Sequence, residues 1–338
     1  MTAESGVVTT IRRGEAPETA PRPSDPLLKG VTVVMCTYRR ARSMEGFLAS
    51  LEEQVPRPLR LIVVDASPDT ETEELVRIRR GEMASGLLYF RVAGPLKGLT
   101  RQRNFGIRWV NTDLVAFFDD DVVLRPGCLA EMERVHRATD GTVGVGGYTE
   151  GSYIPPDRLW RTRRALGIVA DLRPGSYQRS GMSVPWAFLP PTDGVVDADW
   201  LPGCAMMWKT PVLREIGFSE SFEGYAQGED LDFSLRARRR GRLFVAGAAR
   251  FLHLFDENGR PDHVKMGFMA LYNRFQIQRR GLDDRTWKDV VRFVYAWGLD
   301  TLMLGRHFLV PRRFLPTLQH LAGRFRAAVV ILKGDHPA

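Results

Sequence analysis

Three consecutive carboxylates, Asp119, Asp120 and Asp121, follow the apolar residues VAFF in the segment Val115–Asp121. An apolar run of this kind reads as a strand buried on both faces. Acidic side chains at its C-terminal end then sit at the edge of a sheet, facing solvent or a ligand. Hard divalent cations take oxygen ligands, and Mg²⁺ is typically held by one or two carboxylates together with substrate phosphates. In an extended chain the Asp-x-Asp pair, Asp119 and Asp121, points to one side. Asp120 between them leaves the assignment open by one residue. A second acidic pair, Glu229 and Asp230, opens a helical pattern in GEDLDFSLRARRRG. Carboxylates in a first turn complement the helix dipole, and that fit alone would explain them. An acidic turn closing a strand is likewise the plainer meaning of the first run, until its context is added.

Groups of this kind need strands that end where they stand. Val31–Cys36 (VTVVMC) reads as a first strand, with Thr37, Tyr38, Arg39 and Arg40 at its C-terminal end. Met44, Phe47, Leu48 and Leu51 then fall at helical spacing, with Ser43 as the expected cap. Leu61–Val64 is a second buried strand, ended by Asp65, and a helix follows over Thr72–Arg80 with Leu75 and Ile78 inward. Leu87–Val92 is a third strand, and Thr100 is expected to cap a helix carrying Phe105, Ile107, Trp109 and Val110. This alternation predicts a parallel sheet with right-handed crossovers. Such sheets bind ligands at the carboxyl ends of their strands. Thr37, Asp65 and Asp119–Asp121 all lie at such ends.

The second half changes character. Gly144–Tyr148 and Leu243–Ala246 read as strands, and Leu159–Leu166 and Pro211–Ile216 as short helices. Residues 151–193 are rich in Pro, Gly and Arg and read mostly as loop, and a loop of that length is usually functional. From Val264 the pattern is helical and Arg-rich, with Phe268, Leu271, Tyr272 and Phe275 at helical spacing.

The chain has 338 residues, 44% hydrophobic and 26% charged, an ordinary globular composition. Its formal net charge of +8 comes mostly from arginine. No basic-aromatic nucleic-acid motif accompanies that charge, so nucleic acid is set aside as a partner. Cys36, Cys128 and Cys204 have no paired spacing, which argues against a disulfide framework or a zinc site and for a reducing, cytoplasmic location. The first thirty residues are polar and Pro-rich and read as a disordered tail without a signal peptide. No apolar run reaches the roughly eighteen residues of a membrane-spanning helix.

Three motif pairs stand in order: MCTYRR with IVVDASPD, RNFGI with FFDDD, and WLPG with GEDLDFSLRARRRG. Together they resemble the family 2 glycosyltransferases, over roughly Val31 to His253. The resemblance implies an α/β fold of GT-A type, a mostly parallel sheet flanked by helices, with a C-terminal helical extension. It divides the chain into a disordered tail (1–29), a GT-A domain (30–258) and a helical extension (259–338). Within the domain, residues 30–121 form the nucleotide-sugar-binding half and 122–258 the acceptor half. It also implies inverting transfer from a nucleoside diphosphate sugar, linked to UDP, dTDP or GDP, to a hydroxyl acceptor with Mn²⁺ or Mg²⁺.

Carried over residue by residue, Thr37, Tyr38 and Arg39 match contacts to the nucleoside, and Asp65 matches the acid that recognises base and ribose. Arg103 and Asn104 match the motif before the metal strand, where a basic side chain reaches the diphosphate. Asp119 and Asp121 match the Asp-x-Asp metal element, Asp121 first, with Asp120 on the donor. Gly203 matches a glycine whose backbone lines the sugar site, and Glu229 stands with it on the donor side. Asp230 matches the catalytic base, and His253 an additional metal ligand. The chemistry is consistent: a cation stabilises a leaving diphosphate, and an acceptor hydroxyl needs a carboxylate to take its proton. A single in-line displacement then inverts the anomeric centre.

The Gln-x-x-Arg-Trp element of chain-extending synthases is absent, the later segment reading NRFQIQRRG. That points to a single addition in glycan, cell-envelope, glycolipid or natural-product biosynthesis. A nucleotidyltransferase acting on sugar phosphates would show a Gly-rich loop with Lys where this chain has TYRRARS. A non-catalytic nucleotide-sugar-binding module has no need of Glu229 and Asp230. Trp287–Leu304 and Leu309–Leu332 are amphipathic and Arg-rich. They read either as helices packed on the core or as a peripheral contact with the inner membrane face. Association as a homodimer is left open.

Overall fold

The computed structural model describes residues 7–11, 27–80, 86–255 and 262–334. The first part of the chain runs β1 (Val7–Ile11), β2 (Leu27–Thr37), α1 (Ala41–Glu52), β3 (Arg57–Asp65), α2 (Glu71–Arg79), β4 (Gly86–Val92), α3 (Leu99–Ile107) and β5 (Leu114–Phe118). The second adds β6 (Val122–Leu124), α4 (Cys128–Ala138), β7 (Thr142–Thr149), α5 (Arg158–Ala165), β8 (Val195–Ala198), β9 (Ala205–Lys209), α6 (Thr210–Ile216), α7 (Glu229–Ala237) and β10 (Arg242–His253). Three long helices follow, α8 (His263–Gly281), α9 (Trp287–Met303) and α10 (Pro311–Lys333).

One sheet in the order β1-β4-β3-β2-β5-β9-β7-β10-β6 runs through the domain, with β8 on β10. The βαβ alternation of the first half yields the expected parallel set β4-β3-β2-β5. Beyond β5 the sheet becomes mixed. Strand β9 is antiparallel to both β5 and β7, and β10 is parallel to β7 but antiparallel to β6 and β8. Register decides what meets at the edge: Thr37 pairs with Asp65, and Met35 with Phe118, so Thr37, Asp65 and Asp119 share one end. His253 pairs with Val122, which brings the last residue of β10 beside Asp121.

Burial explains the strands. All five residues of β5 are buried, as are Val31, Val33, Val34 and Met35 of β2. One face of the sheet packs on Met44, Phe47 and Leu51 of α1 and Leu129 and Met132 of α4. The other packs on Phe105 of α3 and Phe233 of α7. Helix α3 lies so close that a Cβ on Gly106 would meet Val34 Cγ1 at 2.7 Å.

Several boundaries differ from the sequence expectation. Most of the tail assigned to residues 1–29 lies outside the described residues, but Val7–Ile11 forms a strand against β4 and β2 begins at Leu27. Arg40, not Ser43, precedes α1, and Gly98, at φ 125°, precedes α3. Thr100 instead donates to the Phe222 carbonyl at 3.1 Å. Ile78 is exposed, and Val76 takes the inward position on α2.

The C-terminal helices are joined to the domain by both apolar and ionic contacts. Phe293, Ala296 and Trp297 of α9 pack on Ile168, Val169 and Met182 from the long loop region. Helices α8 and α10 touch backbone to backbone, since a Cβ on Gly267 would meet the His320 carbonyl at 2.0 Å. The buried carboxylate of Asp289 accepts from Arg179 Nε and Nη2 at 2.7 Å each, from Arg292 Nη1 at 2.7 Å, and from the Thr286 amide and hydroxyl at 2.9 Å. These contacts, Arg179 above all, hold the Asp289 carboxyl well below the usual carboxylate range. Its stabilising effect is therefore full at neutral pH and declines once the unfolded chain protonates below about pH 4, with the remainder lost in stronger acid. Asp289→Ala is expected to lower unfolding free energy by about 1–3 kcal/mol, because it removes the acceptor shared by Arg179, Arg292 and the α9 cap. Chemical denaturation at neutral pH checks this, and the difference from wild type should shrink in acid.

Candidate active site

The end of β5 places Asp119 at the edge of the sheet, its amide donating to the Cys204 carbonyl at 3.2 Å. That bond sets the Gly203 turn beside the acidic run. Asp121 follows, and its Oδ1 lies 3.1 Å from His253 Nε2. Asp119, Asp121 and His253 each offer one ligand atom, and these atoms all lie within 4.8 Å of one another. Two carboxylates and an imidazole at that spacing fit a divalent cation, since carboxylate oxygens suit Mg²⁺ and Mn²⁺ while the softer imidazole favours Mn²⁺ of the two.

Asp120 points elsewhere. It is buried, its Oδ2 accepts from the Thr37 hydroxyl at 2.7 Å, and its Oδ1 accepts from Arg40 Nη1 at 3.1 Å. Burial pushes its carboxyl up to about 7, against the pull of Arg40 and Thr37. The same Arg40 nitrogen lies 3.6 Å from Asp121 Oδ2. Arg40 thus bridges the acidic run to the end of β2. Sequence places Arg40 at that strand end, two residues after Tyr38, but does not mark it as a partner of the acidic run. Gln102 also braces this edge without a mark in the sequence: its amide donates to the Val64 carbonyl at 2.8 Å and the Thr37 carbonyl at 3.2 Å, tying α3 to two strand ends.

Asp65 is expected to face a nucleoside, but the structure turns it inward. It is wholly buried, accepting from the Ser67 amide and the Tyr89 hydroxyl at 2.8 Å each, and burial pushes its carboxyl up. Ser67 in turn accepts from the Arg39 amide at 2.7 Å. This network holds Arg39 at φ 58°, a left-handed conformation rare for a residue with a side chain. Tyr38 lies beside it, with Lys97 Nζ 4.5 Å above its ring. Tyr38, Arg39 and Lys97 therefore form a rim, and Asp65 supports it from behind.

Arg103 is likewise expected to reach a diphosphate, and is instead enclosed. It is 2% exposed, with its guanidinium near the rings of Phe117 and Phe218. Its Nη1 donates to Glu229 and its Nη2 to the Gly203 carbonyl at 3.0 Å, and Nη2 lies 3.5 Å from Asp119 Oδ1. Burial pushes the Glu229 carboxyl up, and the Arg103 cation draws it back. Glu229 thus anchors Arg103 from the first turn of α7. Asn104 brackets a different segment, exchanging hydrogen bonds with the Phe218 amide and carbonyl at 2.8 and 2.9 Å.

Asp230, next to Glu229, is only half-buried, and its carboxylate lies against the same Gly203 turn as that of Glu229. Its Oδ2 accepts from the Gly203 amide at 3.0 Å and its Oδ1 from the Leu231 amide at 2.8 Å. A Cβ at position 203 would meet Asp230 Cβ at 3.0 Å, so glycine is what lets the turn approach the helix start. A pocket lined by Tyr148, Trp186, Leu189, Pro202 and Phe255 adjoins the cluster. The His253 ring stacks on Phe255 at 4.1 Å between centroids.

A curled mixed sheet with carboxylates and an imidazole gathered at its strand ends, flanked by helices, is a domain of GT-A type. Residues 32–185 match the family model for glycosyl transferase family 2. That match takes in less than half of this chain. It is 30% identical over 132 residues to succinoglycan biosynthesis protein ExoM of Rhizobium meliloti strain 1021, covering 38% of this chain and 42% of that protein. The match thus spans less than half the length of that relative. In structure it is similar to the mannosyltransferase PcManGT from Pyrobaculum calidifontis, solved in complex with GDP-Man and Mn²⁺, with a TM-score of 0.51, 17% identity and coverage of 95% of this chain and 83% of that one. The structure of S. aureus TarS 1-349 aligns at a TM-score of 0.49 with 16% identity, over 83% of this chain and 72% of that one.

Arg103 gives a direct test of this architecture. Arg103→Met leaves Glu229 buried without its cation and is expected to lower stability by about 3–5 kcal/mol. Arg103→Lys keeps the charge but loses the planar fork and should fall between. Urea unfolding of the three proteins measures it, and unchanged midpoints would remove Arg103 from its central place.

Proposed function

We propose that the protein transfers a glycosyl group from a nucleoside diphosphate sugar to a hydroxyl acceptor in one inverting, metal-assisted step. The observation that carries this reading is the convergence at one sheet edge of two features. One is the ligand set Asp119, Asp121 and His253; the other is the carboxylate of Asp230, held across the Gly203 turn. The match of residues 32–185 to the family model for glycosyl transferase family 2 supports the reaction class. The GDP-Man and Mn²⁺ bound by PcManGT support a nucleoside diphosphate donor and a divalent cation.

When bound at Asp119, Asp121 and His253, the cation supplies charge stabilisation to the departing diphosphate. Tyr38 and Arg39 form the rim that receives the nucleoside, with Lys97 over the Tyr38 ring. Arg40 and Thr37 hold Asp120 and so fix the strand end. Arg103 fixes Asp119 and the Gly203 carbonyl from inside the protein. Asp230, oriented by two backbone amides, takes the proton from the acceptor hydroxyl as its oxygen attacks the anomeric carbon opposite the diphosphate. The bond from that carbon to the diphosphate breaks as the new glycosidic bond forms, with one inversion. The aromatic pocket beside His253 receives the acceptor, which takes a single sugar.

Two substitutions separate the roles. Asp121→Asn is expected to weaken Mn²⁺ and nucleoside diphosphate binding together in calorimetry with UDP or GDP. Full activity of that variant at low metal would sink the metal assignment. Asp230→Asn should leave donor affinity near wild type and cut turnover by about 10²–10⁴-fold. If Glu229→Gln loses turnover while Asp230→Asn loses donor binding, the two roles are exchanged. Donor binding without any turnover in the wild-type protein would make it a binding module.

A further inference from the structure

Helix α9 buries one face, with Phe293, Ala296 and Trp297 packed on the domain. Its opposite face carries Trp287, Val291, Val294 and Leu302, all exposed, with Trp287 at 72%. Helix α10 repeats the pattern. Gly323, Arg324 and Ala327 are buried, and Gly323 lies so close to α8 that a Cβ would meet the Val264 carbonyl at 2.0 Å. Phe314, Leu318 and Phe325 face out, spaced by four and seven residues, which is one side of a helix. Leu309, between the two helices, is also exposed. Large apolar side chains gathered on otherwise polar helices mark a surface that something covers.

Charge says what covers it. Residues 287–333 contain eight Lys and Arg and two acidic residues, Asp289 and Asp300. Both are buried and paired, Asp289 with Arg179 and Arg292 and Asp300 with Arg163 and Arg324, so neither contributes exposed negative charge. Arg306, Arg312, Arg313, Arg326 and Lys333 are exposed beside the apolar stripes. Apolar side chains flanked by exposed arginines suit helices lying in the plane of an anionic interface. A second copy of the chain would bring the same arginines against each other. Among the described residues no helix is long and apolar enough to cross a membrane, so the contact would be in the plane of the surface.

We infer that the exposed faces of α9 and α10 dock on an anionic lipid surface, with Trp287 and Phe325 entering the interface and Arg312 and Arg313 meeting headgroup phosphates. Because α9 is packed on residues 168–182, docking holds the acceptor half of the domain at that surface.

Co-sedimentation of the full chain with vesicles tests this independently of sugar transfer, so an inactive site and an idle surface give different results. The protein should pellet with phosphatidylcholine vesicles containing phosphatidylglycerol, be released by salt, and stay in solution with phosphatidylcholine alone. Trp287→Ser combined with Phe325→Ser should weaken binding about 10-fold or more, and Arg312→Glu with Arg313→Glu by about as much. All four side chains are exposed, and an unchanged thermal melt confirms that each variant folds. The inference is overturned by no binding at low salt, by equal binding to neutral vesicles, or by variants that bind like wild type. It is equally overturned if sedimentation equilibrium shows a dimer that these substitutions dissolve while vesicles capture nothing.

Discussion

A single buried cation, the guanidinium of Arg103, is the point on which the candidate site depends. It ties α3 to Asp119 after β5, to the carbonyl of the Gly203 turn and to Glu229 at the start of α7. Burying a guanidinium is costly unless paired charge and hydrogen bonds offset the loss of water. Glu229 supplies the charge, and Phe117 and Phe218 supply aromatic faces. Once this group is satisfied, four separate segments have little freedom to move against one another. The Gly203 turn and the first turn of α7 then meet closely enough for a backbone amide to orient Asp230.

The sheet does the rest of the positioning through register. Parallel strands in the first half bring Thr37, Asp65 and the acidic run to one edge. The antiparallel pairing of β10 with β6 then returns the chain so that His253 arrives beside Asp121. Ligand atoms from two elements far apart in sequence therefore converge without any long, unsupported loop. Behind them lies a layer of inward-facing polar groups, Asp65, Tyr89, Gln102 and Arg40, that holds the strand ends.

Strand ends were legible in the sequence because continuous apolar runs stop abruptly at polar residues, and the βαβ alternation gives such ends a common edge. The second half was less so. Strand β8 has four residues and β9 five, too few for a clear period, and nothing local marks them as antiparallel. The direction of a polar side chain was also hidden. Arg103 and Asn104 are adjacent, yet one is enclosed with Glu229 and the other brackets Phe218. Asp65 sits on the expected strand end but serves Ser67 and Tyr89. Periodicity places such residues on an element; only the packed structure shows which partners they find. The meeting of His253 with Asp121 spans about half the domain and was suggested by the family resemblance, not by any local pattern. The 151–193 loop lacked periodicity because side chains fix it, among them Gln178, Arg179 and Asp199, together with α9.

The central claim is that Asp119, Asp121 and His253 hold one divalent cation that also meets a nucleoside diphosphate. Pulsed electron paramagnetic resonance of Mn²⁺ bound to the full chain, with UDP or GDP present, addresses it most directly. The expected spectrum carries a directly bonded imidazole nitrogen coupling that vanishes in His253→Ala, together with phosphorus couplings from the diphosphate. A spectrum of Mn²⁺ bound to nucleotide with no nitrogen coupling, or one unchanged by His253→Ala, would contradict the claim.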